Sequence, residues 1–203
     1  MKLEKARTLG MQVVEALAPA CDRIMIAGSV RRGKAEPKDI EIVYIATLVE
    51  RQKDLFSTGD FPLTEERIGH LVAQRFWQFD EQVKRNGPKY KRLVMRAKDD
   101  EQIVVELFRA ASENWGLQLA LRTGPAPFNH QLVTRIMHGG CMPVDMMMSG
   151  GFLWRRGLRL DTPTEESFFE ELGVPCWPPE ERSPVKLSRF LFERRKHKLD
   201  YAS

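Results

Sequence analysis

Apolar positions along this chain follow two periods, and the switches between them mark out its elements. Leu3, Ala6, Met11, Val14 and Leu17 recur near helical spacing, which predicts a helix over Leu3–Leu17 that Pro19 ends. The β-branched runs Arg23–Ala27 and Asp39–Ala46 predict two strands around a polar segment containing glycine. Thr64 caps a predicted helix reaching Trp77, with Ile68, Leu71, Val72 and Phe76 along one side. Lys89–Ala97 and Gln102–Phe108 read as strands joined by the turn Asp99-Asp100-Glu101. After Arg109 the pattern changes. Helices are predicted over Asn114–Arg122 and Phe128–His138, the second ended by Gly139-Gly140. A β-hairpin segment follows over Phe152–Leu160, bounded by Gly150-Gly151. Thr164–Leu172 reads as a capped helix with Glu165 and Glu166 in its first turn and Gly173 at its end. Pro175–Pro179 is an extended connector, and Val185–Leu199 forms a basic helix with Leu187, Phe190 and Leu191 on one side. The mixture predicts an α/β (α+β) protein with a mixed-sheet lobe over 1–110, a smaller α/β lobe over 111–183 and a basic helical tail over 184–203.

Three acids interrupt this pattern. In Asp39-Ile40-Glu41-Ile42, strand periodicity puts Asp39 and Glu41 on one face and the isoleucines on the other. Neighbouring carboxylates repel, and an apolar strand does not solvate them; a divalent cation, or a cluster of them, relieves the conflict. Glu106 lies inside the apolar run Ile103–Phe108. It is either an edge-strand glutamate facing water or a third ligand, and the pair elsewhere in the chain favours the second. Between the first two strands runs Gly28-Ser29-Val30-Arg31-Arg32-Gly33. The Ser29 hydroxyl, the Gly28 and Gly33 backbones and the Arg32 guanidinium offer donors for an anion with several oxygens. Carboxylates for metal beside a phosphate cradle point to a nucleoside triphosphate site.

Length and charge bound the picture. The 203 residues suffice for one compact unit or two small lobes. The net charge of +4 matches the excess carried by the tail from Pro184 onward. A second basic run, Lys84–Lys98, holds seven cations and no acid. Such clusters suit a phosphate backbone, or equally a solvated face. Cys21, Cys141 and Cys176 are odd in number and widely spaced, which argues against a disulfide framework and a structural zinc site. The charged N-terminus lacks the apolar core of a signal peptide, and no apolar run is long enough to span a bilayer. The expectation is an intracellular protein, cytoplasmic or viral, with no membrane partner.

These residues resemble a known family. The Gly28-Ser29 turn, the Asp39-x-Glu41 pair nine residues on and Glu106 on a later strand resemble the signature of the nucleotidyltransferase superfamily. Gly28-Ser29-Val30-Arg31-Arg32-Gly33 narrows the resemblance to the X family of DNA polymerases, the polymerase beta relatives. Thr123-Gly124-Pro125 resembles that family's Thr-Gly turn at the nucleotide pocket, and Phe128-Asn129 its Phe-Asn position. The likeness covers residues 5–183 and matches a minimal form, a palm plus one C-terminal lobe, as in small viral members.

The resemblance implies a palm domain and a DNA-directed DNA polymerase suited to short gaps or repair synthesis. Asp39, Glu41 and Glu106 would be the catalytic metal ligands for two Mg²⁺ ions, with Mn²⁺ an acceptable substitute. Gly28, Ser29, Arg32, Gly33, Gly124 and Asn129 would bind the nucleoside triphosphate. DNA, as primer-template or gapped duplex, would meet Lys84, Arg85, Lys89, Lys91 and Arg92 and the tail residues Arg194, Arg195 and Lys196. Three departures stand out: the acids are Asp, Glu, Glu where the X family mostly has three aspartates, Leu121-Arg122 replaces an aromatic pair, and Val133 replaces an arginine. A template-independent terminal transferase, another nucleotidyltransferase and a non-catalytic DNA-end-binding scaffold are the alternatives.

Overall fold

A computed structural model of the chain describes residues 1–54, 57–80, 86–97 and 101–200. The chain forms two compact units, Met1–Ser112 and Glu113–Ser203. In the first, α1 (Leu3–Leu17) passes through a 3-10 turn into β1 (Cys21–Ile26), followed by the single turn α2 (Gly28–Arg31) and β2 (Ile40–Ala46). A hairpin of β3 (Leu48–Asp54) and β4 (Ser57–Pro62) leads to α3 (Leu63–Ala73), and then come β5 (Trp77–Phe79), β6 (Tyr90–Arg96) and β7 (Gln102–Ala110). The second unit holds α4 (Trp115–Thr123), α5 (Ala126–Val133), β8 (Met146–Ser149), β9 (Phe152–Arg155), β10 (Leu158–Leu160), α6 (Glu165–Glu171) and α7 (Pro184–Asp200). Among the described residues this is a mixed α/β protein with seven helices, a five-stranded mixed sheet and two small antiparallel sheets.

The five-stranded sheet has the order β1-β2-β7-β6-β5. β2 and β7 run parallel, and every other neighbouring pair is antiparallel. Alternate side chains divide its two faces. Ile40, Ile42 and Tyr44 of β2, Leu93 and Met95 of β6, and Ile103, Val105 and Leu107 of β7 share one core with Leu9, Val13 and Leu17 of α1 and Ile68 and Leu71 of α3. The intervening positions, among them Glu41, Arg92 and Glu106, therefore project from the opposite face. β7 lies between β2 and β6, so Glu106 is not on an edge strand.

Several element ends differ from expectation for local reasons. The helix after Thr64 stops at Ala73, because Arg75 takes a left-handed conformation with φ of 62°. Trp77 then enters the edge strand β5 and is buried in the core. The helix expected to reach His138 stops at Val133; Thr134 is extended, and a 3-10 turn at Ile136–His138 closes on Gly139 with φ of 88°. β3 and β4 have few apolar side chains to alternate, and the methionines of β8 give no strand periodicity, so neither signal stands out in the sequence. The capped helix is α6: Thr164 accepts from the Ser167 N–H while the Ser167 side chain accepts from the Thr164 N–H.

The second unit is organised around Leu117, Phe128, Phe168 and Phe169, which share a core with Leu187 and Leu191 of α7. Phe190 of the same helix meets Trp177 edge-on with ring centroids 5.7 Å apart. Arg182 forms a buried ion pair with Glu165 at 2.7 Å and donates from Nε to the Trp177 carbonyl. The basic tail is thus one wall of this unit's core. No described helix is long and apolar enough to cross a membrane. Leu187 is fully buried, so Leu187→Ala is expected to cost about 2–5 kcal/mol in urea unfolding, whereas Arg195→Ala should stay within about 0.5 kcal/mol. Equal, small effects would detach α7 from the core.

Candidate active site

Strand register assembles a line of charge across the exposed face of the large sheet. The parallel β2–β7 pairing sets Glu41 opposite Glu106, and the antiparallel β7–β6 pairing sets Glu106 opposite Arg92. Asp39 stands in the bend just before β2, two residues from Glu41, where its charge interacts with those of Glu106 and Arg92. Burial, followed by the charge of Glu106, raises the Asp39 carboxyl above its ordinary range. The Tyr90 hydroxyl donates to Glu106 Oε1 at 2.6 Å, and Arg92 Nη1 reaches the same oxygen at 3.3 Å. Arg92 Nε donates to Asp80 Oδ2 at 2.9 Å. Arg32 stands at the other end of the row: burial pulls its guanidinium down, and the charges of Glu41 and Asp39 oppose that pull.

The segment before β2 is shaped around Glu41. The Ala27 N–H donates to the Glu41 carbonyl at 2.8 Å. Gly28 has φ of 62°, and a Cβ there would lie 1.8 Å from Glu41 Oε2. Glycine is required at position 28 both by conformation and by the carboxylate against it. The Ser29 hydroxyl is buried and has no hydrogen-bond partner among the described residues. An unpaired buried hydroxyl costs about 1–3 kcal/mol, and an anion's oxygen would remove that cost. The Gly33 amide, expected among the anion donors, is instead used by the turn itself and donates to the Val30 carbonyl at 3.1 Å.

The donor set suits hard divalent cations, since Glu41 and Glu106 are paired across neighbouring strands and Asp39, just before β2, interacts electrostatically with Glu106. Their side chains do not converge, however: among the described residues no group of three His, Cys, Asp or Glu side chains could hold a metal ion. The partners explain this. Glu106 is turned to Tyr90 and Arg92, and Glu41 lies against Gly28.

The remaining sequence candidates separate. Lys84 and Arg85 lie outside the described residues. Lys89 is exposed on the turn entering β6. Lys91 is buried and does not serve as a surface phosphate contact: strand alternation turns it to the helix-covered face, where Nζ pairs with Glu65 at 2.9 Å. Arg92 is engaged by Asp80 and Glu106. Arg194 donates from Nη1 to the Gly173 carbonyl at 2.8 Å, closing the end of α6, while Arg195 and Lys196 are exposed. Gly124 and Asn129 belong to the second unit, where Asn129 Nδ2 donates to the Leu121 and Gly124 carbonyls. A Cβ on Gly124 would lie 2.2 Å from Asn129 Oδ1, so the glycine makes room for Asn129 at the end of α4. Tyr90 and Asp80 were not legible as site residues. Their only sequence signal is the two-residue spacing that puts Tyr90 on the face of Arg92.

Two consequences can be measured. Gly33 also has positive φ, of 70°, but open space around it, so Gly33→Ala should cost about 1–2 kcal/mol while Gly28→Ala costs clearly more. Equal losses in thermal unfolding would mean that Glu41 yields to the new methyl group. Because the folded state raises the Asp39 carboxyl, its share of stability is present at low pH and is lost as pH rises through the folded value. Asp39→Asn should therefore stabilise the protein in chelator at pH 7, with the gain vanishing below the ordinary carboxylate range; melts from pH 3 to 8 with no such trend would contradict the shift. Compared with known proteins, the chain matches no family model and no curated protein.

Proposed function

We propose that this chain is a metal-dependent nucleotidyltransferase, and specifically a DNA-directed DNA polymerase of the X-family type. The observation that carries the reading is the register that lines up Glu41 and Glu106, with Asp39 two residues away, beside an unpartnered, buried Ser29 hydroxyl. In this reading the first unit is a nucleotidyltransferase palm and the second a nucleotide-binding lobe. A non-catalytic DNA-binding module has no use for clustered carboxylates beside a polyanion, since they repel it.

Asp39, Glu41 and Glu106 would hold Mg²⁺ or Mn²⁺. When bound, such ions supply neutralisation of phosphate charge and activation of a primer 3′-hydroxyl. The chain's own residues do the rest. The Ser29 hydroxyl donates to a phosphate oxygen of the incoming nucleotide. Arg32, whose charge is compensated by acids in the free protein, turns its fork to the same phosphates. Tyr90 holds Glu106 through Oε1, which leaves Oε2 to accept the proton of the primer hydroxyl. Among the described candidates, Lys89, Arg195 and Lys196 are exposed and would meet the DNA backbone.

The test is primer extension on a one-nucleotide gap beside an unpaired single strand, with each deoxynucleotide and ribonucleotide offered separately. Template-matched addition that falls at least about 100-fold in Asp39→Ala is expected. Addition regardless of template would move the reading to a terminal transferase. DNA binding indifferent to chelator, with no transfer to any acceptor, would leave a scaffold. Ser29→Ala should raise KM for the nucleotide about tenfold, the loss of one hydrogen bond to a charged group, with kcat nearly unchanged. An unaltered KM would remove Ser29 from the phosphate site.

A further inference from the structure

Two guanidiniums flank the acid row, and one of them sits directly on a proposed ligand. Arg92 is the cross-strand partner of Glu106, so its position is set by the sheet itself. Its backbone is further tied at both ends: the Arg92 N–H donates to Asn86 Oδ1 at 2.7 Å, and its carbonyl accepts from the Asp80 N–H at 3.1 Å. The guanidinium then forks between two acids, Asp80 Oδ2 at 2.9 Å and Glu106 Oε1 at 3.3 Å. Both carboxylates are largely shielded, with 11% and 16% of their side chains exposed. Arginine does not lose its proton, so this positive charge cannot be removed by pH. A cation arriving at Glu106 meets this fixed charge beside the carboxylate.

We propose that Arg92 is the resident counter-charge of Glu106, competing with the divalent cation for that carboxylate, and that Asp80 receives the guanidinium when the cation binds. The inference rests on the reading of Asp39, Glu41 and Glu106 as cation ligands. The geometry favours a hand-over: the hold on Asp80 is the shorter of the two, and Tyr90 keeps its hydrogen bond to Glu106 Oε1 when Arg92 lets go. Glu106 is then oriented before any cation arrives. Arg92 thereby becomes a positioning residue that sets the cation concentration at which the site assembles.

The test is Mn²⁺ titration of the full chain, with free Mn²⁺ followed by electron paramagnetic resonance. Arg92→Gln should bind Mn²⁺ about tenfold more tightly than the unaltered chain, because one screened unit charge is removed from beside a ligand. Arg92→Lys keeps the charge and should stay near the starting affinity. Asp80→Asn should bind more weakly, since the guanidinium is left to Glu106 alone. A general field effect would produce the first and last of these anywhere on the sheet, so each is repeated in a Glu106→Gln background. Competition predicts that both effects vanish there. Effects that persist in Glu106→Gln, or an Arg92→Gln protein that binds no more tightly, overturn this inference and leave the polymerase reading standing. If neither the unaltered chain nor Arg92→Gln binds Mn²⁺ at millimolar concentration, the acids are not cation ligands and both readings fall. Should Arg92→Gln fail to fold, the Asp80→Asn pair decides, with unchanged affinity overturning the proposal.

Discussion

Carboxylates gathered on one face of a sheet must be given a counter-charge, and much of the first unit follows from that requirement. Glu41 and Glu106 face each other across neighbouring strands, and Asp39 joins them from the preceding loop. Like charges at cross-strand distance destabilise a sheet. Here the cost is met by Arg32 at one end of the row and Arg92 at the other. It still shows at Asp39, whose ionisation burial and Glu106 oppose.

The same sheet shows how a period of two separates stability from chemistry. On β6, Arg92 and Tyr90 point to the acid face, while Lys91 between them points to the core side and is neutralised by Glu65. On β2, Ile40, Ile42 and Tyr44 are buried under α1 and α3 while Glu41 is half-buried on the far side. The core therefore anchors the backbone that fixes the register, and the register aligns the charges.

In the second unit, Gly124, Asn129 and Arg194, which the sequence offered as ligand contacts, each have a part in the fold, as does the buried pair of Arg182 and Glu165. Asn129 ties the end of α4 through two carbonyls, and Gly124 is small so that Asn129 can approach. Arg194 closes the end of α6, and Arg182 neutralises Glu165 in the interior. α7 keeps Arg189, Arg195 and Lys196 outward because Leu187 and Leu191 are committed to the core.

The sequence by itself determined the elements that depend on local physics. α1 ends where Pro19 follows it, α6 begins at a capping box, and the apolar spacing of Leu187, Phe190 and Leu191 announced the buried face of α7. It also put Glu41 on the face opposite Ile40 and Ile42, since strand period requires no partner to be known. What it could not show is which strands are neighbours. Only the tertiary structure placed β7 in the middle of the sheet, parallel to β2, and so put Glu106 beside Glu41 rather than on an edge in water. Only pairing across the sheet brought Tyr90, Arg92 and Asp80 to the acids, residues that the sequence left in a basic run or unnoticed. The reason is physical: face is set by the period of one strand, but register and neighbour are set by burial of a core shared among segments far apart in the chain.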